Sequence, residues 1–228
     1  MQHRKFLSAT FVATILLLLT AGGGLILAAE PTLERQFIAA AERGDVAAVK
    51  NLLAKGAKID ARDERKRTAL LAATQQNRIE VAKLLIAAGA DVNAKDAIDD
   101  SPYLLAGASG HVEILRATLA AGADLKSTNR YGGTALIPAC HYGHVETVRE
   151  LLKTPINVDH VNRLGWTALL EAVILGDGGA RHTEIVRLLV ANRANPNIAD
   201  AQGVTPLEHA RRRGFREMVM LLERAQAR

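Results

Sequence analysis

Three histidine–glutamate pairs carry the first hint of chemistry: His111-Val112-Glu113, His144-Val145-Glu146 and His182-Thr183-Glu184 all read H-x-E. In zinc deaminases such a fragment works only beside a P-C-x-x-C segment. This chain has one cysteine, Cys140, which excludes that partner segment, a multi-thiolate metal cluster and an internal disulfide. His141 and His144 are three apart and can share a helix face, but two imidazoles without a carboxylate or thiolate make a weak metal site. Cys140 follows Ala139 as the second of two small residues in its segment, which reads as a buried, inert thiol. Gly176-Asp177-Gly178-Gly179 is not followed by Lys-Ser/Thr, so it is no phosphate loop. Arg211-Arg212-Arg213 is a basic cluster that suits a solvated face or an acidic partner. No catalytic set, cofactor site or metal site is expected.

The elements that position these residues follow from composition and period. The chain has 228 residues, 49% apolar but only 4% aromatic, with 23% charged. That is globular composition, so wholesale disorder is excluded. The apolar content is mostly Ala, Leu, Val and Ile, which favours many thin helix–helix contacts over one large core.

The N-terminus is a separate matter. Arg4 and Lys5 precede an apolar run from Phe6 to Ala29. This pattern reads as a signal peptide over residues 1–29, with an uncleaved membrane anchor as the alternative. Both place the rest of the chain outside the cytoplasm, which points to the periplasm. Losing Arg4 and Lys5 lowers the formal charge from +5 to +3, so the basic balance says little about nucleic acid, and no nucleic-acid partner is expected. Membrane contact is expected only if the segment stays attached.

Past residue 30, three series march in one register. Thr68-Ala69-Leu70, Ser101-Pro102-Tyr103, Thr134-Ala135-Leu136, Thr167-Ala168-Leu169 and Thr205-Pro206-Leu207 recur at intervals of 33, 33, 33 and 38. Gly44-Asp45, Asn77-Arg78, Gly110-His111, Gly143-His144, Gly176 and Gly214-Phe215 follow them, where Gly or Asn77 can supply a left-handed turn, as do Gly56-Ala57, Gly89-Ala90-Asp91-Val92-Asn93 and Gly122-Ala123-Asp124. This resembles the ankyrin repeat, a 33-residue unit with T-P-L-H-x-A-A, G-H and G-A-D-V-N signatures. The resemblance implies an all-α solenoid of helix–turn–helix units with β-hairpin loops. Its units would span 30–62, 63–95, 96–128, 129–161, 162–199 and 200–228.

The residues alone support such units. Thr or Ser can cap each first helix, and Pro102 and Pro206 fit the first helical position. Small residues (Ala72-Ala73, Ala106-Gly107, Ala139-Cys140) let first helices approach closely. Second helices repeat apolar residues at i, i+3 and i+4, as in Val81, Leu84 and Leu85. Glu34-Arg35-Gln36 and Glu223-Arg224-Ala225-Gln226 give the polar ends that a stack needs. Two departures stand out. Pro155 replaces a glycine turn and ends its helix, and residues 177–181 are an insertion expected to bulge from the tip joining two helices.

With no catalytic set, the expected function is binding of another protein by a non-enzymatic monomer. The resemblance implies a partner surface on the hairpin tips and the concave side of the first helices. On this register the anchor falls at Tyr131, His141, Tyr142, Leu164, Trp166 and Leu175, with charged flanks at Arg65/Arg67 and Arg212/Arg213. Aromatic and arginine side chains in one patch are what a binding hot spot looks like. The alternative is that these rings pack against neighbouring hairpins. Exported relatives of this kind imply an accessory factor for a periplasmic enzyme or an immunity protein against a toxin. A membrane-tethered element, or an enzyme using His141, His144 and His182, is the remaining alternative.

Overall fold

Each recurring hydroxyl residue starts a helix for a local reason. The computed structural model describes residues 31–227. In it the side-chain oxygens of Thr32, Thr68, Ser101, Thr167 and Thr205 each accept the backbone N–H three residues on. That bond satisfies one of the free donors of the opening helical turn. Thr205 adds a full capping box, because the Glu208 carboxylate accepts its backbone N–H at 2.8 Å.

Twelve helices result among the described residues, in six pairs. The first member of each pair is α1 (Leu33–Arg43), α3 (Ala69–Gln75), α5 (Pro102–Ala108), α7 (Leu136–His141), α9 (Ala168–Ile174) or α11 (Pro206–Arg212). The second is α2 (Val46–Ala54), α4 (Ile79–Ala87), α6 (Val112–Ala120), α8 (Val145–Leu151), α10 (Ala180–Ala191) or α12 (Arg216–Gln226). First helices pack on first helices and second on second, while the members of each pair pack on each other. Everything from Thr32 onward forms one unit. The expected signal segment, residues 1–29, lies outside the described residues. Among those described, no helix is long and apolar enough to cross a membrane.

The core is one continuous seam. Val81 and Leu85, Val148 and Leu151, and Ile185 and Leu189 are all buried, each pair supplied by one second helix. Each such side chain contributes about 1.5–3 kcal/mol by leaving water. First helices contribute small groups: Ala72, Ala73, Ala106, Ala139, Cys140 and Ala172 are buried without exposure. Gly107 shows how close the approach is, since a Cβ there would lie 2.8 Å from the Ala135 Cβ. An alanine at that position would force α5 and α7 apart.

Four details differ from the sequence expectations. No strand forms among the described residues: the hairpin loops are tight turns, each closed by a pair of backbone bonds such as Asp63 N to the Arg67 carbonyl and Lys66 N to the Asp63 carbonyl, rather than β-ladders. Thr134 does not cap its helix, and its buried hydroxyl has no partner. Pro138 is the cause: it has no N–H to give the Thr134 carbonyl, so the turn tightens and Ile137 N donates there instead, at 3.2 Å. In the fifth pair the left-handed residue is Gly178 (φ +72°), not Gly176. Finally, the insertion is not a free bulge. Ala180 and Arg181 extend α10, and His182 sits inside that helix and is buried rather than marking its start.

The insertion is also held from both sides. His182 Nδ1 lies 2.9 Å from Asp177 Oδ1, and its Nε2 lies 2.9 Å from the His141 carbonyl. Both partners are acceptors, so the two bonds coexist only when both ring nitrogens carry hydrogen. Gly178 lies against Phe215, where a Cβ would fall 2.4 Å from the ring. Pro155 follows the end of α8 as expected, and the Thr154 hydroxyl donates to the Leu151 carbonyl at 2.6 Å.

The contrast between two buried threonines is testable. Thr167→Val removes a working cap and should cost about 1 kcal/mol, read as a lower urea midpoint. Thr134→Val removes an orphaned hydroxyl and should leave the midpoint unchanged or raise it.

Candidate functional site

The hairpin tips are shaped by one residue type at one place. Asp63, Asp96, Asn129, Asn162 and Asp200 each use Oδ1 to accept two backbone N–H groups, two and four residues on. Each also donates its own backbone N–H to the carbonyl four residues on, at 2.9–3.1 Å. This closed tip projects the third residue of the turn outward. In three successive tips that residue is apolar: Ile98, Tyr131 and Leu164, at 51%, 54% and 53% exposure. Backbone bonds join neighbouring tips, from Ala97 N to the Arg65 carbonyl (3.0 Å) and from Arg163 N to the Tyr131 carbonyl (2.9 Å).

Below these tips, α7 and α9 form the floor of a groove of about 310 Å³. Tyr131 and Leu164 line it from the tips, and Ile137, Pro138, His141, Tyr142, Glu171 and Leu175 from the helices. His141 and Tyr142 are stacked, with centroids 4.3 Å apart and planes 9° from parallel. Arg130 lies over the Tyr131 ring at 4.9 Å and faces Asp100 at 3.6 Å, so its charge is already countered.

Among the described residues lining this groove, Glu171 is the one with a buried side-chain polar atom that no hydrogen bond reaches. Its Oε1 accepts from Asn162 Nδ2 at 3.1 Å, but its buried Oε2 has no hydrogen-bond partner. His141 Nδ1 is 3.6 Å away, beyond bonding distance. Burial of the carboxyl, opposed by the Asn162 bond, pushes its pKa up to about 7. Burial, and then the nearby His182, hold His141 below its ordinary value. The pair is therefore not a salt bridge of two settled charges.

The expected site residues divide into two groups. Tyr131, His141, Tyr142, Leu164 and Leu175 come together around this groove, and Tyr142 (56%) and Leu175 (42%) are well exposed. Trp166 stands at the base of its tip, half-buried and outside the lining. Arg65 and Arg212 are exposed but lie on other units, away from the groove. Arg67 and Arg213 are occupied within the fold. Arg67 pairs with Asp63 (2.8 Å) and Glu42 (3.1 Å) and donates to Gln75. Arg213 donates to the Ile174 and Gly176 carbonyls and covers Phe215 at 4.7 Å, tying the last pair to the insertion. A guanidinium held by carbonyls in this way is a structural clasp rather than a free flank.

Sequence reasoning missed Glu171 and Asn162. The available signal was positional, because Glu171 takes a first-helix slot held by Ala72, Leu105 and Pro138 in other units. Cys140 is wholly buried, and burial drives its thiol well above the ordinary range. Both nitrogens of His182 are engaged, and among the described residues no group of three or more His, Cys, Asp or Glu is placed to hold a metal.

Comparison with known proteins adds a family context. A family model for ankyrin repeats (3 copies) matches residues 15–96 and 103–197. The chain is similar to the crystal structure of an ankyrin repeat domain from Acinetobacter baumannii AYE, with 59% identity and a TM-score of 0.81, covering 83% of this chain and 97% of that one. It is also similar to the ankyrin repeat protein EF0377, with 41% identity and a TM-score of 0.79 over 82% and 96% of the two chains. A more distant likeness is to the ankyrin repeat domain of Bcl-3, a member of the IkappaB family, at 29% identity and a TM-score of 0.74 over 83% and 85%. Among curated proteins, the ankyrin repeat protein YahD of Escherichia coli (strain K12) is 50% identical over 52 residues, 23% of this chain and 26% of that relative.

The raised Glu171 carboxyl has a stability consequence with a definite sign. The folded state holds that proton more tightly than the unfolded chain, so stability falls as pH rises from about 4.5 towards about 7 and stays lower above. Glu171→Gln should remove this part of the pH dependence, read as urea midpoints of the two proteins across that interval.

Proposed function

Because the chain belongs to the ankyrin-repeat family, whose stacked units serve as protein–protein interaction scaffolds, we propose that it is a non-catalytic scaffold that binds one partner protein in the periplasm. The observation that carries this reading is the clustering of exposed apolar side chains. Tyr131, Tyr142, Leu164 and Leu175 surround one groove, and Ile98 continues the line of tips beside it. Water-exposed apolar patches of this sort mark interaction surfaces more often than they occur by chance. Tip bonds and helix stacking hold these side chains in place before a partner arrives, which lowers the ordering cost of association.

Export is supported by the basic start and apolar run of residues 1–29. A periplasmic enzyme that needs a stabilising accessory, or a toxin that needs an immunity protein, are the partner types we favour. The protein acts as a monomer in this reading, and its tethered form would differ only in keeping the N-terminal segment. N-terminal sequencing of the protein recovered from a periplasmic fraction separates the two: a start near Glu30 supports cleavage, and an intact Met1 supports tethering.

Binding is tested by affinity capture from periplasmic extract, comparing wild type with Tyr142→Ala and Leu164→Ala. Each variant should bind the captured partner roughly tenfold or more weakly while its far-UV circular dichroism stays unchanged. Equal recovery by all three proteins would show that this groove is not the interface.

A further inference from the structure

Inside the groove the charges do not balance. Apart from the phenols of Tyr131 and Tyr142, four lining residues are ionisable: Asp100, Arg130, His141 and Glu171. Asp100 and Arg130 oppose each other at 3.6 Å, and His141 Nδ1 stands 3.6 Å from Glu171 Oε2, beyond hydrogen-bonding distance, with burial and then the nearby His182 disfavouring its charged form. Glu171 is left with no cation hydrogen-bonded to it. Its residue is only 5% exposed, and its Oε2 is buried without a partner at the base of a groove whose walls are aromatic and aliphatic. A buried acceptor in this state is costly unless something completes it, and more so once it is charged.

We propose that the groove is a receptor for an arginine side chain of the partner protein, with the guanidinium donating to Glu171 Oε2. This deepens, and rests on, the reading of the groove as a protein-binding face. The chemistry of the walls matches that occupant from end to end. The stacked His141–Tyr142 pair offers a flat π-face of the kind that a planar guanidinium covers. Leu164 and Leu175 suit the methylene stem. A buried carboxylate with one oxygen already bonded to Asn162 offers the other to a fixed, always-charged donor. An acidic side chain would meet Glu171 with like charge, and a purely aliphatic one would bury Oε2 more deeply with nothing to bond it. Arrival of the guanidinium also favours the ionised carboxylate, so occupancy turns a liability of the free protein into a charge-assisted bond.

The test uses blocked tripeptides Ac-Gly-X-Gly-NH2, with X arginine, citrulline, norleucine or glutamate, titrated into the full-length protein. NMR shifts of the Tyr131 and Tyr142 rings and the Leu164 and Leu175 methyls provide the readout. Citrulline keeps the shape of arginine and removes its charge. The arginine peptide should bind saturably and about tenfold or more tightly than the citrulline peptide, and Glu171→Gln should erase that difference. Because the arginine–citrulline comparison is made within wild type, it stands even if the variant folds poorly. Equal binding of arginine, citrulline and norleucine would overturn the arginine assignment while leaving an apolar interface intact. Preference for the glutamate peptide would overturn it by reversing the charge. Silence of all four at these resonances would also overturn it, and partner capture by Tyr142→Ala and Leu164→Ala would then decide separately whether the groove is an interface.

Discussion

A pair of short helices has an apolar flank on each side and no means of covering either one. Burial of those flanks by the next pair is the constraint on which the rest of this structure depends. It explains why first helices are lined with Ala, Gly and Cys, since closer helices leave less water between units. Gly107, with no room for a Cβ beside Ala135, marks where the approach is tightest. It also explains the scarcity of aromatic side chains, because a seam this thin has little room for rings. Phe37 and Tyr103 are the large rings that it does bury.

Stacking turns a one-dimensional repeat into a surface. Each unit adds one hairpin tip, closed in the same way by an Asp or Asn, so tip residues line up at regular spacing whatever their chemistry. What varies is the work given to the spare atom of that Asp or Asn. Asp63 Oδ2 holds Arg67, Asp200 Oδ2 meets His209 at 2.7 Å, and Asn162 Nδ2 reaches Glu171. In the first two cases the partner is a cation or an imidazole, and the pairing closes on itself. In the third it is a carboxylate, which one amide N–H cannot satisfy. The incomplete pairing falls under the units whose tips are apolar. The outer helices carry a different surface. There Lys83, Glu113, Arg116, Glu150 and Lys153 form a chain of exposed ion pairs. Such pairs contribute little individually and chiefly keep that face solvated.

Much of the architecture was legible because the repeat states each local rule several times. A cap read at Thr68 could be checked at Ser101, Thr167 and Thr205. The exceptions lay where a second residue interfered. Thr134 carries the cap signature, but Pro138, four residues on, withholds the N–H that its carbonyl needs. His182 carries the H-x-E signature of its siblings, but the added residues before it lengthen α10, so it stands in the third position of that helix where His111 and His144 are N-caps. Arg67 and Arg213 looked like flanks because no spacing rule says that a carboxylate or a carbonyl will lie within their reach.

By itself the sequence determined the repeat, the order of helices, the small-residue seam and the apolar character of three neighbouring tips. All of these follow from contacts within one unit or from its period of 33. Only the tertiary structure decided which of the polar residues are free. A guanidinium, a carboxylate and an imidazole are each ambiguous until their neighbours are known, and those lie four residues away for Arg67 and Asp63, nine for Glu171 and Asn162, and more than one repeat away for Arg213 and Ile174. Glu171 itself stands in a run of helix formers, Ala168 to Val173, that gives no sign of its role. Placing Asn162 on one of its oxygens and leaving the other bare is a fact of packing between a tip and two helices, and no local pattern records it.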